Sequence, residues 1–196
     1  FTSKEEIEAS PRQLFDGEVQ IGDLKYADLN NDKLIDSNDT KVIGNTNPKL
    51  DYAVSINLRY RNFDFTIVGT GRTSFDTALT NKYFWNGWST GTYSHFVRDN
   101  IGGDYPRLAY VKATNNFQSS TFWLRDGGFF KIQNIELGYN VRFRGRSAVK
   151  GLRVFVRGAN LCTISGIEDV DPENINAGVT AYPLYRTFTA GFKFTF

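Results

Sequence analysis

The chain has 196 residues, with 23 Lys and Arg against 21 Asp and Glu, and this net charge of +2 gives it neither the cationic footprint of a nucleic-acid binder nor an acidic tail. Aromatic residues make up 15% of it, with 17 Phe and 10 Tyr, and 18 glycines are spread along it, which is a composition of strands and turns. No apolar run reaches the roughly 18 residues of a membrane-spanning helix. A membrane β-barrel stays open, because its strands need only about 9–11 residues. The first residue is Phe1, methionine is absent and no secretory leader precedes the chain, so it reads as a mature or internal fragment of a longer protein. The single cysteine, Cys162, excludes an internal disulfide.

The first informative stretch is DLNNDKLIDSND. It places side-chain oxygens at loop positions 1, 3, 5, 9 and 12, from Asp28, Asn30, Asp32, Asp36 and Asp39, and offers the Leu34 carbonyl at position 7. That is the ligand spacing of an EF-hand or dockerin-type calcium loop. Two positions depart from it: Lys33 stands where glycine normally permits the sharp turn, and Asp39 replaces the longer glutamate. Two readings follow: a structural calcium in a surface loop, or an Asp/Asn-rich turn closed by its own side chains.

KLDYAVSINLRY then alternates, with Leu50, Tyr52, Val54, Ile56, Leu58 and Tyr60 on one face and Asp51, Ser55, Asn57 and Arg59 on the other. A tight turn at Arg61 and Asn62 leads into FDFTIVGTGR, whose Phe63, Phe65 and Ile67 continue the apolar face, so the two strands form a hairpin. In the long segment that follows, KYFWNGWSTGTY concentrates Tyr83, Phe84, Trp85, Trp88 and Tyr93. Such rings can stack on sugars or anchor a protein partner, and Tyr83, Trp85, Trp88 and Tyr93 are the candidate contacts; the competing reading is a loop that packs on itself. His95 has no companion for metal binding or catalysis and reads as a loop histidine. In FWLRDGG, Arg125 and Asp126 are expected to hold a loop-to-strand corner while Gly127 and Gly128 permit unusual backbone.

FFKIQNIELGYNVRF is the next strand. Its apolar parity begins on Phe130 and Ile132 and changes to Ile135, Leu137, Tyr139, Val141 and Phe143, a one-residue shift that predicts a β-bulge near Gln133 and Asn134. LRVFVRGANL follows, and TFTAGFKFTF closes the chain with Phe188, Phe192, Phe194 and Phe196 in period 2. A row of charges stands opposite the apolar face: Arg59, Asp64, Arg72, Glu136, Arg142, Arg153, Arg157 and Lys193. Connections alternate between short and long, as they do in outer-membrane barrels, and strand counting with the C-terminus in the periplasm puts every long segment, and the residues before Leu50, outside the cell. Alternation by itself fits a soluble sandwich equally well. Rings near strand ends and the terminal pattern of Gly191, Phe194 and Phe196, which resembles the signal read by the barrel-assembly machinery, favour lipid.

Ordered blocks along most of the chain resemble the SusC/RagA-type TonB-dependent outer-membrane transporters of Bacteroidetes. They are GDLKYADLNNDKLIDSNDTKVIGNTNPKLDYAVSINLRYRNFDF, DYPRL, FWLRDGGFFKIQNIELGY, LRVFVRGANL, the Asp171–Pro172 pair and YPLYRTFTAGFKFTF. The resemblance implies an all-β fold. This chain would supply about five to six C-terminal antiparallel strands of a transmembrane β-barrel, roughly 22-stranded, with long extracellular loops. Residues 1–48 would be an extracellular loop region containing the calcium-like segment 28–39, and residues 49–196 the barrel strands and loops, with the plug domain outside this chain.

The implied function is import of glycans or peptides across the outer membrane, driven through TonB, with a SusD-like lipoprotein as lid and no enzymatic step. The implied partners are the remaining barrel and plug, the SusD-like lipoprotein, TonB through the missing part, outer-membrane lipid and an oligosaccharide or peptide substrate, with no nucleic acid. Calcium is the only cofactor expected, in a structural role. A soluble, calcium-stabilised β-sandwich that binds carbohydrate and a passive porin are the competing readings. Five strands cannot enclose a lumen, so the chain is expected to be the C-terminal piece of a nicked, split or partly sequenced transporter, paired edge to edge with missing strands.

Overall fold

The structure, a computed structural model, describes residues 1–85, 94–100, 103–108, 114–143, 145, 148–168, 170–175, 182 and 184–196. In chain order the elements are α1 (Lys4–Ala9), β1 (Arg12–Gln13), β2 (Leu34–Ile35), β3 (Leu50–Tyr60), β4 (Phe63–Thr73), β5 (Asp76–Ala78), α2 (His95–Asp99), β6 (Leu124–Asp126), β7 (Phe129–Arg142), β8 (Gly151–Ser165) and β9 (Thr187–Thr195). They fall into two compact units. The first gathers Phe1–Gly44, Ala78–Arg125 and Asn174–Ala181; the second gathers Asn45–Thr77, Asp126–Glu173 and Tyr182–Phe196.

The second unit is a five-stranded antiparallel sheet in the order β3-β4-β7-β8-β9. All five strands are those expected from the alternation. The β3–β4 hairpin closes through Arg61, whose φ of 54° supplies the left-handed residue that a two-residue turn needs. The bulge falls where the parity change placed it: Ile132 pairs with Gly69 and Cys162, Asn134 pairs with Val68 and Ala159, and Gln133 is left without a partner in either ladder. One unpaired residue moves the apolar series from even to odd numbers while keeping it on the same side of the sheet. Phe130 and Ile135 therefore share a face with Tyr52 and Ile67, and Tyr52 stacks on Phe130 at 6.0 Å.

That apolar face is uncovered. Val54, Ile56, Leu58, Leu137, Tyr139, Val154 and Val156 are all exposed, and the terminal rings are more so, with Phe188 at 80%, Phe192 at 69% and Phe196 at 76%. A face of this extent, aliphatic in the middle and aromatic at the turn end where Phe63 meets Tyr139 at 4.8 Å, has no stable place in water. The outer strands β3 and β9 each have a free hydrogen-bonding edge among the described residues.

The first unit is where the core lies. Residues 1–44, read from the sequence as part of a loop region 1–48, share one compact unit with 78–125 and 174–181. Ile35, Leu79, Phe84, Val97, Tyr105, Trp123 and Ile175 are buried there. Helix α1 is capped by Ser3, whose hydroxyl accepts from the Glu6 amide at 3.2 Å, while the Glu6 carboxylate reaches back to the Thr2 amide at 2.8 Å. No described helix is long and apolar enough to cross a membrane, which says nothing about crossing by strands.

Candidate functional site

Opposite its bare apolar face, the sheet in the second unit carries a connected polar network. Arg153 donates from Nη2 to Asp64 and, at 2.6 Å, to Glu136, and its Nε donates to Asp64 at 3.2 Å. Arg157 donates to the other Glu136 oxygen at 2.6 Å, and Asn140 donates to Asp64 at 2.5 Å. The register makes the network possible, because Glu136 pairs with Arg157 and Asn140 with Arg153 across β7 and β8, while Asp64 on β4 faces Gly138 between them. Phe155 lies on the same face, with the two guanidinium carbons 5.2 Å and 5.8 Å from its ring centre.

Toward the end of the long connections, Arg72 pairs with Asp51 at 3.0 Å. Lys131, buried, donates to Asp171 at 2.8 Å and to Glu173 at 2.6 Å, which ties the segment after β8 to the head of β7. Sequence reading singled out the Asp171–Pro172 pair only as a family block; the signal for its role is an inward Lys with two carboxylates some forty residues later, a pairing that no local pattern marks.

In the 28–39 loop, the Asp28 carboxylate accepts from the amides of Asn31 at 2.6 Å and Lys33 at 2.9 Å, Asn30 and Asp32 each accept from the residue two positions on, and Asp39 accepts from Leu29 and Asp36. Backbone N–H groups hold the Asp39 carboxyl below its usual range, that of Asp36 first, then those of Leu29 and Asn30. Lys33 takes a φ of 65°, so the sharp turn forms without the glycine usual at that place. Leu34 and Ile35 form β2 and pair in parallel with β1. Among the described residues no three acidic, histidine or cysteine side chains converge as a metal site.

Tyr83 and Trp85 sit inside the aromatic core of the first unit: Tyr83 packs on Phe84 at 5.1 Å, and Trp85 on Phe117 at 5.8 Å and Trp123 at 5.9 Å. Trp88 and Tyr93 lie outside the described residues. Trp123 is 1% exposed and its indole N–H donates to the Asn116 carbonyl at 3.0 Å. The corner that follows is held as expected, by Arg125 donating to the carbonyls of Phe122 and Leu124 and by Asp126 accepting from Gly128. The glycines act differently from the expectation. Neither is among the described residues with positive φ; Gly127 is needed because a Cβ there would run into the Phe75 ring. His95 is corrected too: it opens α2, capped by Ser94, and its Nδ1 meets Arg98 at 2.8 Å.

A buried polar knot was not foreseen. Asp23 accepts from Asn116 at 2.8 Å and pairs with Arg107 at 2.7 Å, while Gln13 donates to Asn115 at 2.5 Å and accepts from the Tyr26 amide. Burial raises the Tyr26 hydroxyl to about 12. Gly191 pairs with Phe155 in the last strand, and Phe192 packs edge-on against Phe194 at 5.4 Å, so the terminal motif lies in β9 and just beyond it.

An antiparallel sheet with one face of bare apolar rings and the other an ion-paired wall defines a stretch of transmembrane β-barrel. No family model matches the sequence. TonB-dependent receptor P26 of Formosa agariphila is 31% identical, over an alignment that covers 99% of this chain and 21% of that protein. The TonB-dependent receptor SusC of Bacteroides thetaiotaomicron is 24% identical over 94% of this chain and 19% of its own length. The structure of the RagAB peptide transporter superposes with a TM-score of 0.64 at 20% identity, covering 83% of this chain and 19% of that one. The chain belongs to the SusC/RagA-type TonB-dependent receptors and forms part of their barrel. It spans about a fifth of the length of the relatives it matches.

Proposed function

We propose that the protein containing this chain sits in the outer membrane and imports a glycan or peptide by a TonB-driven mechanism, with a SusD-like lipoprotein as its extracellular partner and the rest of the barrel and a plug supplied by the sequence beyond these residues. One observation carries the reading. Across five strands the aliphatic and aromatic row is uncovered while Asp64, Glu136, Arg153 and Arg157 on the other face bond to one another, an arrangement suited to hydrocarbon outside and a wet or filled lumen inside. The named relatives support the transporter class: two are TonB-dependent receptors, and RagAB is a peptide transporter. In this reading Gly191, Phe194 and Phe196 are the signal for barrel assembly, and loop 28–39 is structural, with calcium held by Asp28, Asn30, Asp32, Leu34, Asp36 and Asp39. Heat on calorimetric titration with calcium and chelator-sensitive melting support that assignment; a flat titration removes it.

The test of the main reading uses the complete protein in cells. It is expected in the outer-membrane fraction, to show a heat-dependent gel shift, to co-purify with a surface lipoprotein, and to take up oligomers only when TonB and the proton gradient are intact. Recovery in the soluble fraction overturns the membrane assignment, and uptake that persists without TonB makes it a passive porin.

A further inference from the structure

The connection that follows β8 does not leave the sheet freely. Lys131 stands between Phe130 and Ile132 of the apolar row and so projects to the opposite face, where its side chain is only 5% exposed. Its ammonium donates to both Asp171 oxygens, at 2.8 Å and 2.9 Å, and to Glu173 at 2.6 Å. A local turn presents the two carboxylates together: the Glu173 amide donates to Asp171 Oδ1 at 3.0 Å, across the buried Pro172. Nearer the strand, the Ile167 amide donates to the Ser165 hydroxyl at 3.1 Å, and Ile167 is buried. Among the described residues no backbone hydrogen bond ties 170–173 to a strand, so the hold of this segment on the sheet is through side chains. Every group in the arrangement belongs to this chain.

We propose that Lys131 is a charge latch that holds residues 170–173 as a strap over the inner face of the sheet, so that the connection from β8 begins tucked inside the mouth instead of standing free outside it. Calling that face inner rests on the import reading; the latch itself does not. Two physical arguments support it. The cation is the buried member of the group, and taking it away leaves two carboxylates facing each other with nothing between them, so the place of the strap depends on the charge of the lysine and not on its bulk. The strap is also a part of the chain that can move: with no ladder bond to break, releasing three side-chain bonds frees it while the strands stay paired.

The experiment uses the full-length transporter, in intact cells and after extraction in detergent. Unmodified, the strap should resist proteinase K added to cells. Lys131→Met keeps an unbranched side chain and removes the charge; it is expected to open a cleavage site near Asp171 and to speed exchange of the Val170 and Glu173 amides at least about tenfold, with the β7–β8 ladder from Ile135 to Val141 still protected. Lys131→Arg should restore most of the resistance. Asp171→Asn keeps the acceptor for the Glu173 amide and loses only charge. Alone it should loosen the strap a few fold, and added to Lys131→Met it should slow exchange again by relieving the repulsion, a reversal that lost packing would not give. Should the Lys131 variants fail to assemble, Asp171→Asn and Glu173→Gln test the latch singly from the strap side, each with faster exchange and easier cleavage. Unchanged exchange and cleavage in these variants, equal loosening in Lys131→Arg and Lys131→Met, or loosening that spreads along the β7–β8 ladder overturns the proposal. Recovery of the unmodified protein in the soluble fraction, with the variants behaving as expected, sinks the membrane reading alone; a strap indifferent to all three charges in an assembled barrel sinks the latch alone.

Discussion

The two units use the same kinds of residue in opposite ways. In the first, Trp123 touches Trp85, Tyr105, Phe117 and Phe122, and its one polar atom is satisfied inside. In the second, rings of comparable size point away from the protein, and the ionic groups turn toward each other. A chain obeys one hydrophobic effect throughout, so the difference must lie in the surroundings: water around the first unit, hydrocarbon against one face of the second. The lesson is that an exposed Phe is informative only with its neighbours, since a lone one is ordinary and a continuous row of them is not.

The comparison is broken most severely at Trp123. Trp123→Ala in the complete protein empties the centre of the first unit and is expected to cost it about 3–5 kcal/mol. Amide exchange should rise across Ile7, Ile35 and Val97 while the ladders of β4, β7 and β8 keep their protection. Equal loss in both units would show that they are a single cooperative body. Next comes Leu137→Arg, near the middle of β7 on the uncovered face. Facing water, an exposed Leu→Arg change costs within about 0.5 kcal/mol; facing the bilayer interior it costs about 2–4 kcal/mol. Loss of the heat-dependent gel shift and of outer-membrane yield is expected, and unchanged assembly would return this face to water.

What could be read from the sequence follows the same division. Period-2 alternation reports which side of a strand is apolar, so β3, β4, β7, β8 and β9, the Arg61 turn and the Gln133 bulge were all legible. Alternation has no term for contacts between segments some ninety residues apart. The Asp23–Asn116 and Gln13–Asn115 bonds, which hold the first unit together, were therefore invisible, whereas the burial of Tyr83 accords with the reading of a loop that packs on itself. For the candidate site, the charged row was legible residue by residue, but the wiring of Asp64, Arg153 and Glu136 depends on register and needed the structure.

A smaller effect should separate packing from targeting in the terminal motif. A Cβ at Gly191 would lie 2.7 Å from the Phe155 ring. Gly191→Val should then cost about 1–3 kcal/mol through overpacking, measured as the denaturant midpoint of the assembled barrel, and Phe155→Ala should restore part of it. If Phe155→Ala rescues nothing while assembly stays slow, the glycine acts as part of the recognition signal and its cross-strand contact is secondary.

The smallest effect is electrostatic and belongs to the first unit. Glu6 is held at about 2, below its usual 4.5, first by the backbone N–H of Thr2, then by Lys25 at 3.0 Å and the Thr2 hydroxyl. A carboxyl bound more tightly as its anion in the folded state contributes stability that is complete above about 4.5 and disappears as pH falls toward about 2. The melting temperature of the first unit should therefore decline across that window, and Glu6→Gln should flatten part of the decline while changing little at neutral pH. The pair is exposed, so salt should blunt the effect as well. An identical pH profile in Glu6→Gln would show that this carboxyl does not set the acid sensitivity of the first unit.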